Sequence, residues 1–178
     1  NVSLALSTTT LNVDGTATVV VTDDDSKGAV TATFSNIIYS NEAQNRDGGL
    51  LSYTATTKAI TGVNAGSGTV TVTQAETYKY EAKSATFNVT VNKLTQTLTW
   101  DNPDLETTMQ KGTTHEGNTA TSSAGLTPVT YASSNTAAIT VDANTGVLTA
   151  VEVGSNVTIT ASQAGKYKYF ASNLTTLI

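Results

Sequence analysis

Few side chains in this sequence could carry chemistry, and each has a competing structural use. The single histidine, His115, lies in Lys111-Gly112-Thr113-Thr114-His115-Glu116-Gly117. An imidazole beside a carboxylate can act as a base near neutral pH. No G-x-S-x-G motif and no second ligand cluster accompanies it, so a solvated turn before a strand is expected there. The fourteen acidic residues are scattered. Asp23-Asp24-Asp25 is the one dense group. Hard-cation loops alternate their carboxylates, as in D-x-D-x-D, so this run is expected to end the Val19–Thr22 strand as a solvated turn and not to bind calcium. Paired carboxylates could hydrolyse glycosides, but a small sandwich rarely offers the cleft this needs. With no cysteine there is no thiolate nucleophile, zinc-thiolate site or disulfide framework. No catalytic residue, cofactor or metal is expected, and the chain is not expected to be an enzyme.

Binding is the remaining chemistry. The stretch from Asn36 to Gly49 (Asn-Ile-Ile-Tyr-Ser-Asn-Glu-Ala-Gln-Asn-Arg-Asp-Gly-Gly) contains the sole arginine, Arg46. Arginine forms bidentate bonds to carboxylates and stacks on rings. Tyr39, Asn41, Glu42, Arg46 and Asp47 are therefore the candidate contacts to a protein or glycan, with Gln44 beside them. The alternative is a hairpin extension in which Arg46 pairs locally with Glu42 or Asp47. Tyr78-Lys79-Tyr80 and Tyr167-Lys168-Tyr169 could stack on a sugar. Their recurrence favours a structural use for Tyr80 and Tyr169, with the hydroxyl tied to backbone as in a tyrosine corner. Trp100 is expected to plug a core or a domain junction. The four N-x-S/T sequons, at Asn1, Asn88, Asn156 and Asn173, are about as many as a chain so rich in Asn, Ser and Thr shows by chance.

These residues must be held by strands. Threonine makes up about a fifth of the chain, and only 13% of residues are charged. β-Branched residues favour a pleated surface over a helix, while Asn, Gly, Asp and Ser supply turns. Short alternating runs predict strands near 2–7, 10–13, 16–22, 29–35, 50–54, 58–63, 68–74 and 82–92. A second set is predicted near 95–100, 105–110, 116–122, 128–133, 138–142, 146–151, 155–163 and 168–175. Alternation points Val70, Val72, Phe87, Val89, Val91, Val157 and Ile159 inward, with Thr69, Thr71, Thr73, Thr86, Asn88 and Thr90 outward. The net charge of -5 gives no electrostatic footprint for nucleic acid. No apolar run approaches the ~18 residues that span a bilayer.

The chain also repeats itself. Gln74–Ala82 matches Gln163–Ala171 at a spacing of 89. Thr57–Val63 matches Thr145–Val151 at a spacing of 88, and Val70-Thr71-Val72 resembles Val157-Thr158-Ile159. The slip of one residue is expected to be a bulge within a strand. Half of 178 is 89, the size of one small β-sandwich. The expectation is an all-β chain of two tandem immunoglobulin-like β-sandwiches, end to end: 1–93, with an inserted loop near 36–49, and 94–178. The junction at Asn92-Lys93-Leu94 has neither Gly nor Pro, so an elongated, semi-rigid pair is expected.

Copy two reads Pro128-Val129-Thr130-Tyr131-Ala132-Ser133-Ser134-Asn135, then Ala138-Ile139-Thr140-Val141-Asp142, Thr145-Gly146-Val147-Leu148-Thr149-Ala150 and Gly154-Ser155-Asn156-Val157-Thr158-Ile159-Thr160-Ala161. In this order the residues resemble the bacterial immunoglobulin-like group 2 domain of intimin- and invasin-type surface proteins. Copy one keeps Thr10-Leu11-Asn12-Val13-Asp14-Gly15-Thr16 of the opening pattern and departs from it between Ser35 and Leu50. The resemblance implies a non-enzymatic structural spacer or adhesion module, extracellular or on a bacterial cell surface. It implies a protein or glycan partner there. The alternative is a carbohydrate-binding module or an accessory domain of a secreted glycan-degrading protein. The isolated chain is expected to be a monomer, and its start at Asn1-Val2-Ser3 fits a mature or trimmed segment.

Overall fold

The structure is a computed structural model and describes residues 2–22, 28–40, 48–102, 108–116, 118–166 and 168–178. Among these residues every regular element is a β-strand, and no helix is long and apolar enough to cross a membrane. The chain divides into two compact units, Asn1–Leu94 and Thr95–Ile178.

The first unit contains β1 (Ser3–Leu6), β2 (Thr10–Asn12), β3 (Thr16–Thr22), β4 (Val30–Tyr39), β5 (Leu51–Thr54), β6 (Ala59–Gly62), β7 (Gly66–Gln74) and β8 (Lys83–Asn92). They form two four-stranded sheets, ordered β1-β3-β6-β5 and β2-β8-β7-β4. The first strand divides itself between them. β1 runs antiparallel to β3, and β2 runs parallel to β8 in the other sheet. Residues 7–9 make the crossing and are bonded on both sides, Ser7 N to Thr18 O at 2.9 Å and Thr90 N to Thr9 O at 2.9 Å. Two facing sheets with this order are an immunoglobulin-like sandwich.

Alternation places the core as the sequence predicts. Val70, Val72, Val89 and Val91 are buried, and with Leu11, Val13, Val19, Leu50 and Ile60 they form one continuous cluster. The opposite faces of β7 and β8 carry paired hydroxyls and amides. Thr69 Oγ1 donates to Asn88 Oδ1 at 3.3 Å, Thr71 and Thr86 share a bond of 3.4 Å, and Thr73 and Ser84 one of 2.9 Å. Threonine lets this wet face stay neutral while keeping the strand preference of a β-branched residue.

The second unit contains β9 (Leu98–Trp100), β10 (Thr114–His115), β11 (Ala120–Ser122), β12 (Thr130–Ser133), β13 (Ile139–Val141), β14 (Leu148–Ala150), β15 (Thr158–Gln163) and β16 (Ser172–Leu177). Its ladders are shorter: β11-β9, β10-β14-β13 and β12-β15-β16. Among the described residues, the late part of the strand expected at 116–122 alone is in a ladder, β11 pairing with β9. β10, which pairs with β14, ends before the expected span. Between them Asn118 is buried, its amide donating to Asn102 O at 2.9 Å and its Oδ1 accepting from Asn102 N at 3.0 Å. A side chain thus takes backbone bonds that a continuous ladder would have made. Of the strand expected near 105–110, residues 108–110 lie in no ladder, and 105–107 fall outside the described residues.

The ladders correct the repeat register. Gln74 pairs with Lys83, and Gln163 with Ser172, so β7 and β15 match at a spacing of 89 along their whole common length. Buried Val70 therefore corresponds to Ile159, and Val72 to Ala161, not to Val157 and Ile159. Ile60 and Leu148 hold the 88 spacing one strand earlier. The extra residue falls in the connection that follows β14, where Asn156 takes φ 56, and not in a bulge within a strand. A connecting loop absorbs an added residue without turning any core side chain outward.

In each unit a tyrosine ties one sheet to another. Tyr53 on β5 donates its hydroxyl to Val30 O on β4 at 3.1 Å. Tyr131 on β12 accepts from Ala120 N on β11 at 2.8 Å. Tyr53 and Tyr131 take the part expected of Tyr80 and Tyr169. Trp100 packs against both apolar clusters of the second unit, its ring 6.3 Å from that of Tyr131.

Candidate functional site

β4 positions the segment singled out for binding. Its ladder with β7 runs regularly from Val30 to Ser35, shifts register, and resumes at Ile38 and Tyr39. Asn36 sits at the shift with φ 50, a left-handed conformation that asparagine tolerates. A bulge of this kind re-aims the side chains that follow it. Ile38 is 68% exposed, Ile37 is also exposed, and Tyr39 turns inward to pack, half-buried, on the core. Gly66 makes the close approach possible, since a Cβ there would lie 2.3 Å from Ile38 O.

Residues 36–39 are therefore strand, and the expected loop begins later than 36. Of the five candidate contacts, Tyr39 is placed in a packing position at the end of β4. Asn41, Glu42, Arg46 and Asp47 lie outside the described residues, as do Asp23, Asp24 and Asp25. The long connection itself is plain from the ladders. Phe34 pairs with Val70, and Ser133 with its counterpart Ile159. Leu51 pairs with Gly62, and Ile139 with its counterpart Ala150. Phe34 and Leu51 are 17 positions apart; Ser133 and Ile139 are six apart.

The other expected positions separate. Thr77 and Tyr80 exchange backbone bonds of 2.8 and 3.3 Å, which leaves Tyr78 and Lys79 as a two-residue hairpin tip. Tyr78 is fully exposed, while Lys79 Nζ sits 5.7 Å from the centroid of the Tyr80 ring. Lys166 and Tyr169 repeat this closure with bonds of 3.2 and 3.1 Å, and Tyr167 lies outside the described residues. Trp100 packs on the interior of its own unit, as the core plug expected of it. His115 is half-buried on β10 and not in a loop, with Nδ1 2.9 Å from Glu116 O. Its strand pairing with Leu148 removes it from the solvated turn expected for it.

Among the described residues, two groups depart from their ordinary acidity. Burial pushes the Tyr53 phenol up. Asp142 is held below the usual carboxylate range by backbone bonds from Thr145 and Asn144, at 2.8 and 2.9 Å, and by the Thr145 hydroxyl at 2.9 Å. Both effects are structural: one belongs to an inter-sheet tie, the other to the turn between β13 and β14. Among the described residues no group of three or more His, Asp or Glu side chains could hold a metal ion.

The sequence reading missed two features. The first is a buried polar cluster at the end of β15. Gln96 Nε2 donates to Gln163 Oε1 and to Phe170 O, both at 2.7 Å, and Ser122 Oγ donates to Gln96 Oε1 at 2.6 Å. Its signal was the recurrence of Gln74 and Gln163 at an inward position. The second is an open cavity of about 450 Å³ in the second unit, lined by Met109, Ile139, Val153, Leu177 and Ile178 among others. Its signal was Met109 aligning with Leu11 within a turn that recurs at a spacing of 98.

No protein-family model matches the chain, and no curated protein matches it. Solved structures do. The chain is similar to the EC21-23 segment of human CDH23, at 15% identity over 94% of this chain and 56% of that one, with a TM-score of 0.37. It is similar to the C-terminal 282-residue fragment of intimin, solved with the intimin-binding domain of the translocated intimin receptor. There the identity is 18% over 99% of this chain and 63% of that one, with a TM-score of 0.32. It is also similar to a SusE-like surface-located polysaccharide-binding protein from the heparin utilisation locus of Bacteroides thetaiotaomicron. In that case the identity is 14% over 99% of this chain and 34% of that one, with a TM-score of 0.32. The chain spans less than two thirds of the length of each.

Proposed function

We propose that the chain is a non-enzymatic segment of an exported bacterial protein, two tandem domains of the bacterial immunoglobulin-like group 2 kind that serve as a cell-surface spacer or adhesion module. The asymmetry between the units carries the reading. Both are sandwiches with polar outer faces, and only the first inserts a long polar segment between β4 and β5. Long connections on a rigid scaffold are where binding residues concentrate. The contact surface is then the end of β4, with exposed Ile37 and Ile38, together with Tyr39, Asn41, Glu42, Arg46 and Asp47. Its partner is a protein or glycan at a cell surface.

The test replaces residues 41–47 by a Gly/Ser linker and compares the variant with the unchanged chain on glycan arrays and on immobilised cell-surface proteins. The expected result is a ligand for the unchanged chain that the variant loses at equal melting temperature. Equal binding by both moves the contact elsewhere. The fully exposed Tyr78 favours one alternative, a carbohydrate-binding module acting through the hairpin tip. Loss of glycan binding in Tyr78→Ala, with the 41–47 variant unaffected, would establish that reading. Failure of both proteins to bind anything leaves the spacer role and removes adhesion.

A further inference from the structure

The first unit has one long strand at a sheet edge. β4 runs for ten residues as an outer strand, while the unit's other outer strands, β1, β2 and β5, have four, three and four. Outer strands are commonly blunted by lysine, proline or inward-pointing charge, because their open backbone groups can pair with another chain. β4 carries none of these: no charged residue and no proline occurs from Gly28 to Asn41. Its one interruption is the bulge at Asn36, which ends the regular ladder at Ser35.

The backbone of the regular part is divided between β7 and the open side. Ala75 N donates to Ala29 O at 2.9 Å. Bonded and unbonded pairs alternate along an antiparallel ladder. Thr31, Thr33 and Ser35 therefore bond to β7, while Val30, Ala32 and Phe34 turn their N–H and C=O groups away from it. The Val30 carbonyl accordingly accepts the Tyr53 hydroxyl from the facing sheet. Among the described residues no turn, loop or side chain bonds the backbone of Ala32 or Phe34 on that side. The open window runs between the Tyr53 tie and the bulge, over residues 31–35. Ala32 and Phe34 are half-buried on its inner face, and Thr31, Thr33 and Ser35 are exposed on its outer face.

We infer that residues 31–35 of β4 pair with the same residues of a second copy of this chain, antiparallel about Thr33, joining two sheets into one. The open groups fix this register. Bonds across the edge must join residues that face it, so Ala32 meets Phe34 of the second copy, and Phe34 meets its Ala32. Shifting the centre one residue towards Val30 would need the carbonyl that Tyr53 already occupies. Shifting it one residue the other way would need Asn36, whose φ of 50 has left the strand conformation. The chosen register sets a small side chain opposite a large one in both inner pairs. On the outer face Thr33 meets Thr33 and Thr31 meets Ser35, which continues the row Thr33–Thr71–Thr86 and its two neighbours across the junction. The window is thus its own complement, with no charge to repel a second copy. Five residues a side make a small interface, so the pairing is weak and rises with concentration. The monomer expected of the sequence then holds at low concentration. This contact precedes the bulge and goes beyond the reading above, which uses the residues after it.

The full chain and its variants are compared by sedimentation across a range of concentrations, with melting by circular dichroism as the check on folding. The unchanged chain is expected to pass from monomer to dimer. Thr33→Lys and Thr33→Glu each set like charges opposite one another and are expected to weaken the dimer about tenfold or more. An equimolar mixture of the two is expected to restore it as a mixed pair. Ala32→Pro removes an N–H that faces the open edge and leaves the β7 ladder intact, so it should weaken the dimer likewise. Thr86→Lys, on the same face but away from the edge, should dimerise as the unchanged chain does. A chain that stays monomeric up to about millimolar concentration overturns the inference. So does a dimer that Ala32→Pro or both Thr33 variants leave unchanged, or a mixture that restores nothing. Loss of the dimer on replacing residues 41–47 by a Gly/Ser linker, with Thr33→Lys without effect, assigns self-association to the segment after the bulge and also overturns it.

Discussion

The two units solve one packing problem with different completeness. The first closes both sheets at four strands and gathers its interior into a single cluster from Leu11 to Val91. The second divides its ladders into two or three strands each and its interior into two clusters, one around Ile139, Leu148 and Ile159 and one around Leu98, Tyr131 and Ala161. Trp100 and Val141 touch both. A sandwich evidently keeps its plan when its strands shorten, provided the inward residues still meet. What shortening costs is a continuous interior, which in the second unit falls into two clusters.

Matched substitutions should break the comparison most severely in the cores. Ile60 and Leu148 occupy equivalent buried positions. Ile60→Ala should destabilise the first unit by about 3–5 kcal/mol and Leu148→Ala the second by about 2–3 kcal/mol, since Leu148 belongs to a smaller buried cluster than Ile60 and leaves fewer neighbours without contact. Urea titration followed by Trp100 fluorescence and by far-ultraviolet circular dichroism separates the two. A cost for Leu148→Ala above that of Ile60→Ala would show the second interior to be the tighter one.

The tyrosine ties come next. Tyr131→Phe leaves the buried Ala120 N–H without its acceptor and should cost about 1–3 kcal/mol. Tyr53→Phe, which deprives a carbonyl in a less buried place, should cost about 0.5–1.5 kcal/mol. Tyr53 adds a pH signature. Burial raises the pKa of its phenol in the folded state, so the stabilisation it gives is fully present below the ordinary phenol value and lost as pH rises through the raised one. The alkaline fall in the first unit's melting temperature should therefore flatten in Tyr53→Phe; an unchanged slope would remove the tie's role in it.

The smallest effects lie in the matched turns before β6 and β14. Lys58 has φ 53 where Gly146 has φ 74. A side chain in that region costs roughly 1–2 kcal/mol. Lys58→Gly should thus stabilise the first unit by up to about 1 kcal/mol, and Gly146→Ala should destabilise the second by about 1–2 kcal/mol, its Cβ meeting Asn118 O at 3.0 Å. In the second turn the lowered pKa of Asp142 gives stabilisation present above the usual carboxylate range and lost as pH falls through its folded value. The acid limb of the Trp100 melting curve should shift slightly in Asp142→Ala, while Thr54→Ala, its counterpart, should leave the acid limb in place.

Much of this architecture was legible before folding was considered. Strict alternation in Phe87-Asn88-Val89-Thr90-Val91 assigns a face to each residue, because a strand has no other way to segregate side chains. The candidate site was legible only as a segment: its composition and its mismatch with Asn135–Ala137 mark it, while the bulge that turns Tyr39 inward depends on Gly66 in a strand distant in sequence. Tyr131 could not be told from Tyr80 by type or recurrence, since the partner of a hydroxyl is a backbone atom anywhere on the facing sheet.

The sequence by itself determined that this is a threonine-rich β chain, that stretches such as Gln74–Ala82 and Gln163–Ala171 resemble one another, and which residues point inward. Those properties follow from local periodicity and composition. Tertiary structure alone decided where the extra residue of the second copy falls, which tyrosines join the sheets, and that residues 108–110 lie in no ladder. The reason is physical. A strand becomes a strand only when its backbone bonds are answered, and the answering residues are set by the ladder, not by the neighbours in sequence.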